Sequence, residues 1–155
     1  MFEKLEYSII TKANRELAWK IFSNWRRWHE FSDIYKDIRW YKGTPWETGS
    51  RLRIEIKRPV PAIVDHVIIA CSPGKHVAWI DHFFGNTMEQ WVVFEVLPDS
   101  STQVRTWAEF TGVTPVLEGR SVKDLVLDFT RIWYDGFRKV CDELSGQGVA
   151  ELCAC

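Results

Sequence analysis

The sequence predicts an α+β fold in which one curved antiparallel sheet of about seven strands wraps a long C-terminal helix. Two patterns support this prediction. Short alternating segments separated by turn residues occupy about 50–111, and an amphipathic segment follows Pro115. Because 155 residues suit one core, we expect a single domain over 1–146 and a flexible tail over 147–155.

The N-terminal part of the chain predicts a strand followed by two short helices. Apolar and polar residues alternate over about 3–10, which indicates a half-buried strand. Asn14 is placed to cap a helix over about 14–23, and a second short helix starts at Asn24. The chain extends again over 34–41, and turn chemistry then separates further strands at 59–61, 72–75, 85–86 and 98–101. Such tight connections predict an antiparallel meander of six strands.

The last predicted element is the longest. After Pro115 the apolar residues recur at helical spacing until Ser145-Gly146-Gln147-Gly148 ends the pattern. These apolar positions are Val122, Leu125, Phe129, Ile132, Trp133, Gly136, Val140 and Leu144. We expect one helix within 114–144 that packs its Phe129 and Trp133 face against the sheet.

Composition and charge argue against several classes of partner. Twenty Lys and Arg residues against 21 Asp and Glu leave a formal net charge of −1, so no global field attracts nucleic acid. Glu3, Lys4 and Glu6 interrupt any signal-peptide core, and no apolar run approaches the roughly 20 residues of a membrane span. We therefore expect a cytoplasmic protein without membrane insertion, either a monomer or a homodimer.

The four cysteines indicate neither a disulfide framework nor a metal site. Cys71 and Cys141 are expected to be small buried side chains. Cys153 and Cys155 form a C-x-C that supplies only two thiolates where a closed zinc site needs four ligands, and we interpret it as part of a frayed terminus. The sequence has no glycine-rich phosphate loop and no dinucleotide motif, so no cofactor is expected.

The order of strand, two short helices, six-stranded meander and long helix is similar to the SRPBCC superfamily, which includes START-related lipid-transfer domains, polyketide cyclases and pollen-allergen-type ligand carriers. The resemblance rests on ITKANRELAWKIF at the end of the first strand, TPWETGSRLRIEI at a turn and strand, and TQVRTWAEFTG before the long helix. It implies the helix-grip fold, with an apolar ligand cavity between sheet and C-terminal helix. Nine tryptophans fit that expectation, since so much aromatic area is buried in a core or lines a pocket for planar ligands.

Strand register predicts which side chains lie next to one another. If Pro73-Gly74 is a two-residue turn, His66 lies opposite Asp81. A second turn at Gly85-Asn86 places Asp81 opposite Gln90. The same reasoning gives further pairs: Trp79 with Val92, His82 with Glu89, Val92 with Ala108, Gln90 with Phe110, Phe94 with Thr106, and Glu95 with Arg105.

This register divides the side chains of the sheet between two faces. The face toward the long helix carries Ile54, Val64, Ile68, Val77, Trp79, Phe83, Met88, Val92, Phe94, Val104, Ala108 and Phe110. The solvent face carries Asp65, His82, Glu89, Glu95, Arg105 and Glu109, with Trp91 and Trp107 among them. We expect the helix to cover the first set.

A polar row of His66, Asp81 and Gln90 interrupts the apolar face. A buried polar group without a partner costs roughly 1–3 kcal/mol, so the row needs an explanation. Either the three side chains satisfy one another, with Asp81 accepting from His66 and Gln90, or they orient the polar end of an apolar ligand. An unseen β-bulge would instead reverse the faces. The predicted ligand contacts are His66, Trp79, Asp81, Phe83, Gln90, Phe94, Thr106, Phe110, Phe129 and Trp133.

Aromatic residues cluster in and after the predicted pair of short helices. Trp25, Trp28, Phe31 and Tyr35 either cover the cavity mouth as a flap or seat the helices on the sheet, and packing is the favoured interpretation. On the long helix, Phe129 and Trp133 are expected to serve both as core and as cavity wall.

The favoured function is a carrier or sensor of a small hydrophobic or aromatic molecule. The alternative is an enzyme similar to the polyketide cyclases and dehydratases of the superfamily, with His66 and Asp81 as candidate catalytic residues for proton transfer. This pair resembles two parts of a triad, but no nucleophile-elbow motif accompanies it. No metal site is expected, because alternation places Asp65 and His82 on the opposite face. A protein-interaction domain with a vestigial cavity is the third alternative, which an outward-pointing polar row would favour.

Overall fold

The computed structural model describes residues 3–58, 60–83, 85–112, 116–117 and 120–146. The strands are β1 Glu3–Thr11, β2 Tyr35–Lys42, β3 Arg51–Ile56, β4 Ala62–Ser72, β5 His76–Phe83, β6 Asn86–Val96, β7 Thr102–Gly112, β8 Val116–Leu117 and β9 Arg120–Ser121. The helices are α1 Arg15–Ser23, α2 Trp28–Phe31 and α3 Val122–Gly146, and a 3₁₀ turn at Trp25–Arg27 joins the first two. The predicted tail over 147–155, with Cys153 and Cys155, lies outside the described residues.

Seven strands form one antiparallel sheet in the order β1-β7-β6-β5-β4-β3-β2. Strands β2 to β7 are neighbours in chain order, as expected of a meander, and β1 pairs with β7 so that Leu5 lies opposite Ala108. At 25 residues α3 is the longest helix in the described chain. The predicted α+β fold is therefore confirmed. A short ribbon of β8 and β9 before α3 is an element that the sequence analysis missed.

Capping and a side-chain hydrogen bond hold the two short helices in place. The Asn14 side chain accepts a hydrogen bond from the Leu17 amide at 2.8 Å, which confirms the predicted N-cap. Helix α1 buries Ile21 and Phe22 against the sheet side of the molecule. The Trp28 indole N–H then donates to the Phe22 carbonyl oxygen at 2.8 Å, so α2 is tied directly to the end of α1.

The hairpin of β4 and β5 brings His66 beside Asp81 by a route that differs from the prediction. Its turn has three residues rather than two, because Ser72 pairs with His76. A β-bulge that follows Ile68 then shifts the pairing by one residue. The two differences cancel, so the register beyond the bulge is the predicted one.

The next two hairpins differ from the predicted register by two residues. Strands β5 and β6 pair as far as Phe83 with Asn86, so Trp79 lies opposite Gln90 rather than Val92. A shift of two residues leaves every side chain on its predicted face, because side chains alternate with a period of two. The corrected pairs are Asp81 with Met88, His82 with Thr87, Val92 with Thr106, Gln90 with Ala108, Phe94 with Val104, and Glu95 with Gln103.

The predicted division of the sheet into two faces is confirmed. Every apolar residue assigned to the helix-facing side is buried or half-buried, and the charged residues assigned to solvent are half-buried or exposed. On the outer face the rings of Trp91 and Trp107 stack with centroids 6.3 Å apart and planes 8° apart. The carboxylate of Glu95 still pairs with Arg105 at 2.9 Å, although these residues are diagonal neighbours.

The buried stripe of α3 differs in part from the predicted one. Ile132, which was assigned to the apolar face, is 60% exposed, because it lies about 100° around the helix from Trp133. Gly136 lies against α2, where an added Cβ would stand 2.4 Å from the Phe31 carbonyl oxygen. The buried residues of α3 are Val122, Thr130, Trp133, Tyr134, Phe137 and Cys141. Neither α3 nor any other described helix is long and apolar enough to cross a membrane.

The two cysteines in the described part of the chain have free thiols. Cys141 is buried as predicted, and Cys71 is half-buried. Burial raises the pKa of Cys141 to about 12. This thiol therefore stays protonated and acts as a small apolar side chain in the core.

Candidate functional site

A cavity of about 160 Å³ lies between the sheet and the first half of α3. Strands β3 to β6 form one wall, and residues 122–134 of α3 form the facing wall. The short helices and the start of β2 close a third side. The lining also includes half-buried apolar residues of the β3–β4 connection and of α3, among them Val60 and Val126. The cavity is therefore built from the same elements that form the core.

Most of the predicted ligand contacts line this cavity: His66, Trp79, Asp81, Phe83, Gln90, Phe129 and Trp133. Phe94, Thr106 and Phe110 lie outside the lining. Phe94 packs edge-on against Trp19 and Phe22 beneath α1, with ring centroids 5.5 and 5.4 Å away. Phe110 belongs to a separate apolar cluster with residues of β1 and the start of α3. These side chains are on the predicted face, but the cavity occupies only the middle of that face.

Part of the lining was missed by the sequence analysis. These residues come from α1, the residue before β2, the end of β3, the β3–β4 connection, and α3: Phe22, Ile34, Ile56, Val60, Val126, Thr130 and Tyr134. Thr130 and Tyr134 recur at helical spacing with Trp133 and Phe137. Both carry a hydroxyl group and so fall outside a purely apolar pattern, although their spacing was a usable signal.

The aromatic cluster after α1 packs into the core and also borders the cavity. Trp28, Phe31 and Tyr35 are buried, and Trp25 is half-buried. The Trp28 ring stands perpendicular to Trp133 with centroids 5.3 Å apart. Trp28 and Tyr35 both line the cavity. The packing interpretation is therefore confirmed, and the same rings supply cavity wall.

His66 and Asp81 form a hydrogen-bonded pair in the cavity wall. His66 Nδ1 contacts Asp81 Oδ1, and Asp81 is only 1% exposed. The imidazole stacks on Trp79 with centroids 4.7 Å apart. Burial raises the pKa of the Asp81 carboxyl above its ordinary value, while His66 and then His82 act to lower it. Within the described chain this is the one hydrogen bond of the His66 side chain, so Nε2 has no protein partner there.

Gln90 bonds to Thr106 and not to Asp81, which corrects one interpretation of the polar row. The Thr106 hydroxyl donates to the Trp91 carbonyl oxygen at 2.9 Å, so its oxygen is left to accept. The Gln90 amide nitrogen donates to that oxygen at 2.9 Å. This arrangement fixes the amide orientation and leaves the Gln90 carbonyl oxygen without a donor among the described residues.

Two buried tyrosines complete the polar lining. Burial raises the pKa of Tyr35 and of Tyr134, and the neighbouring Trp133 and Thr106 only partly oppose this effect. Both phenols are therefore neutral at physiological pH. Among the side chains that the structure describes, no Lys or Arg lines the cavity and no cluster of three His, Cys, Asp or Glu is suited to a metal ion.

Solved structures match this chain over nearly its whole length, although no protein-family model and no curated protein sequence matches it. A START superfamily protein from Mycobacterium smegmatis superposes with a TM-score of 0.74 at 13% identity, covering 91% of this chain and 98% of that one. The chain therefore has the helix-grip fold. Ara h 8.0201 matches with a TM-score of 0.71 at 12% identity, covering 96% and 100% of the two chains. Major latex-like protein 151 from Panax ginseng gives 0.71 at 13%, covering 90% and 97%.

In this helix-grip molecule the polar row faces inward. Asp81 and Gln90 are 1% and 8% exposed, and both line the space between sheet and α3. An outward-pointing row was the feature that would have favoured an interaction domain with a vestigial cavity. The helix-grip arrangement thus places its buried polar groups where a ligand would meet them.

Replacing Asp81 with asparagine tests the electrostatics of the helix-grip cavity through the pH dependence of stability. Because burial raises the Asp81 pKa in the folded protein, protonation favours folding. The stability that protonation of Asp81 contributes is fully present below the pKa of this carboxyl group in the unfolded chain, about 3.9. It is lost as the pH rises through the higher pKa of the folded protein. The free energy of unfolding of the unmodified protein, minus that of Asp81→Asn, should therefore fall as pH rises from about 4 toward neutrality. Urea unfolding at a series of pH values measures this difference.

Asp65→Asn provides a control of opposite sign on the outer face. Arg53 holds the Asp65 pKa below its ordinary value, chiefly through hydrogen bonds at 2.9 and 3.1 Å. A lowered pKa contributes stability that is present above the unfolded pKa and lost as pH falls. The free energy of unfolding of the unmodified protein, minus that of Asp65→Asn, should therefore fall as the pH is lowered toward acid. Equal slopes for the two variants would contradict the opposite environments of these carboxyl groups.

Proposed function

We propose that this chain is a cytoplasmic carrier or sensor that binds a small hydrophobic or aromatic molecule between its sheet and α3, with residues 1–146 as the binding domain. The observation that carries this proposal is the cavity, which has aromatic walls and a buried His66–Asp81 pair. Small-molecule sites typically combine an apolar lining with a few polar groups that set ligand orientation. The resemblance to a superfamily that includes ligand carriers supports the same function.

Each wall of the cavity has a distinct part in the proposed binding mode. Trp79 and Phe83 from the sheet, with Phe129 and Trp133 from α3, hold the apolar body of the ligand. Flat aromatic side chains suit this contact because they bury a large area and have few rotatable bonds. The polar row orients the ligand by hydrogen bonding to its polar end.

Blocking the cavity provides a direct test of binding. Val126→Trp places a large ring at the cavity lining, and Ile132→Trp places the same ring on the exposed side of the same helix. Isothermal titration calorimetry with toluene should show binding to the unmodified protein and to Ile132→Trp. Val126→Trp should lose at least about 10-fold in affinity, because the added ring occupies the ligand's space. Undiminished binding to Val126→Trp would place toluene elsewhere and contradict the proposal.

The enzyme alternative is supported by the His66–Asp81 hydrogen bond. A carboxylate that accepts from one ring nitrogen fixes the imidazole tautomer and leaves the other nitrogen to exchange a proton. In a cyclase-like reaction the cavity would fold a substrate against that nitrogen. The aromatic walls suit such a substrate as well as a transported ligand.

His66→Ala distinguishes the carrier from the enzyme. In the carrier, the change should weaken binding of a probe with two hydroxyl donors, such as resorcinol, by about 1–2 kcal/mol, with no product formed. In the enzyme, binding should remain nearly intact while turnover falls by about 100-fold or more. Calorimetry measures the first quantity, and mass spectrometry of linear poly-β-ketones incubated with the protein measures the second. His82→Ala is the matched control, since His82 is exposed on the outer face.

A further inference from the structure

We propose that the cavity selects a neutral, ring-sized molecule that carries a hydrogen-bond donor, and that it rejects carboxylates. This inference rests on the proposed function and specifies the chemical class of the ligand. It follows from the volume of the cavity, the orientation of one amide and the charges of the lining.

The volume and the walls favour one aromatic ring. The cavity measures about 160 Å³. An apolar cavity of about 150 Å³ in a protein core admits a molecule of the size of benzene. Trp79 on the sheet and Trp133 on α3 both line the cavity, and such rings suit a flat ligand. A single ring therefore fits within this volume, whereas a larger ligand would extend out of the open side of the cavity.

Gln90 supplies a fixed hydrogen-bond acceptor. Its side-chain nitrogen is held by Thr106, whose own proton is committed to the Trp91 carbonyl oxygen. If the amide were flipped, the Gln90 carbonyl oxygen would face the Thr106 hydroxyl oxygen, and both are acceptors. The amide is therefore held with its nitrogen toward Thr106, and its carbonyl oxygen remains available to a ligand. Gln90 is 8% exposed, and the hydrogen bond that its side chain makes to a described residue uses its nitrogen and not this oxygen. A ligand that brings an O–H or N–H group would supply the missing donor.

His66 adds a second polar position beside the first. Its Nδ1 is engaged by Asp81, so Nε2 is the ring atom left for a ligand. A neutral imidazole that donates from Nδ1 accepts at Nε2. Trp79, which stacks on His66, lies opposite Gln90 in the β5–β6 pairing. The two polar groups thus border the same aromatic wall.

The charges of the lining disfavour an anionic ligand. Within the described part of the lining, Asp81 is the acidic residue, and no Lys or Arg accompanies it there. If the His66 imidazole were protonated, its positive charge would pair with the Asp81 carboxylate rather than with an anionic ligand. A carboxylate moved from water into this space would therefore lose its hydration without gaining a counter-ion. Neutral donors avoid that cost.

Four probes of similar size separate these requirements at pH 7.5. Toluene has neither donor nor charge, p-cresol adds a hydroxyl donor, 4-methylanisole has the oxygen without the donor, and benzoate carries a charge. By calorimetry, p-cresol should bind about 10-fold more tightly than toluene, the scale expected for one hydrogen bond to a buried acceptor. 4-Methylanisole should bind more weakly than p-cresol, because it has no donor for the Gln90 carbonyl oxygen. Benzoate should bind at least about 100-fold more weakly than p-cresol.

The outcomes distinguish failure of this inference from failure of the proposed function. Equal affinities for toluene and p-cresol, or benzoate binding as tight as p-cresol binding, would overturn the selectivity and leave ligand binding in place. No binding of any neutral probe would overturn the proposed function and the selectivity together.

Gln90→Met tests the acceptor itself, because methionine has a similar volume and no amide. The variant should lose about 10-fold in affinity for p-cresol while its affinity for toluene is unchanged. Gln103→Met is the matched control on the outer face, opposite Glu95, and should bind every probe like the unmodified protein. An equal loss for both probes in Gln90→Met would mean that Gln90 only supports the cavity wall, which would overturn its role as ligand acceptor.

Discussion

Phe137→Ala is expected to lower the free energy of unfolding by about 3–5 kcal/mol. Phe137 is fully buried, and its ring contacts Phe31 and Trp133 with centroid distances of 5.5 and 5.7 Å. Removing it would leave a void where α2, α1 and α3 meet, in a region too tightly packed to collapse fully. Urea unfolding followed by circular dichroism measures the loss.

Ile132→Ala is the matched control for Phe137→Ala, since both changes lie on α3. Ile132 is 60% exposed, so its truncation should change the free energy of unfolding by no more than about 0.5 kcal/mol. Comparable losses for the two variants would mean that the buried stripe of α3 runs differently from the one described. The comparison therefore tests the rotation of the helix that forms one wall of the cavity.

Gly136→Ala is expected to destabilise the protein by about 1–3 kcal/mol, although alanine is ordinarily favoured over glycine in a helix by about 1 kcal/mol. The expected sign is reversed because the new Cβ would lie 2.4 Å from the carbonyl oxygen of Phe31 and 2.9 Å from its Cα. Backbone atoms cannot turn away as a flexible side chain can, so α2 and α3 would have to separate. Thermal and urea unfolding both report this effect.

Gly146→Ala is the control for Gly136→Ala. Gly146 is the last residue of α3, and nothing lies within 4 Å of the Cβ that alanine would add. Its replacement should change stability by no more than about 0.5 kcal/mol. Stabilisation by Gly136→Ala would contradict the close approach of the two helices.

Phe137→Ala and Gly136→Ala both change the half of α3 that lies away from the cavity. Phe137 and Cys141 are fully buried there, and Gly136 permits close contact with α2. The preceding half of the helix, over residues 122–134, faces the cavity instead. One end of α3 thus anchors the helix while the other leaves space for a ligand. A loss of packing at the anchored end should therefore also change the shape of the cavity.

Side-chain alternation explains why the sheet was predicted well despite errors in its turns. The β5–β6 and β6–β7 pairings are each displaced by two residues, yet Trp79, Phe83 and Gln90 remain on the predicted face. A displacement of two residues preserves the face, whereas a displacement of one reverses it. The His66–Asp81 contact was predicted correctly only because a three-residue turn and a β-bulge cancel. Neither feature has a local signature strong enough to locate it from one sequence.

The composition of α3 explains the errors on the helix. Ile132 is apolar and lies outside the buried stripe, while Thr130 and Tyr134 carry hydroxyl groups and lie inside it. Residue type and helical spacing therefore disagree at these positions. Which residues of α3 are buried is decided by the elements that the helix packs against, namely α2 at Gly136 and the sheet at Trp133.

The sequence by itself determined the element order, the apolar face of the sheet and the presence of polar groups on that face, because these follow from local periodicity and turn chemistry. Only the tertiary structure decided that the cavity lies in the middle of the face, where His66 and Gln90 border it, and that Phe94 and Phe110 are packed elsewhere. The physical reason is that an unfilled space depends on how closely α3 approaches each part of the sheet. That distance is set by contacts between residues far apart in the chain, such as Phe31 with Gly136.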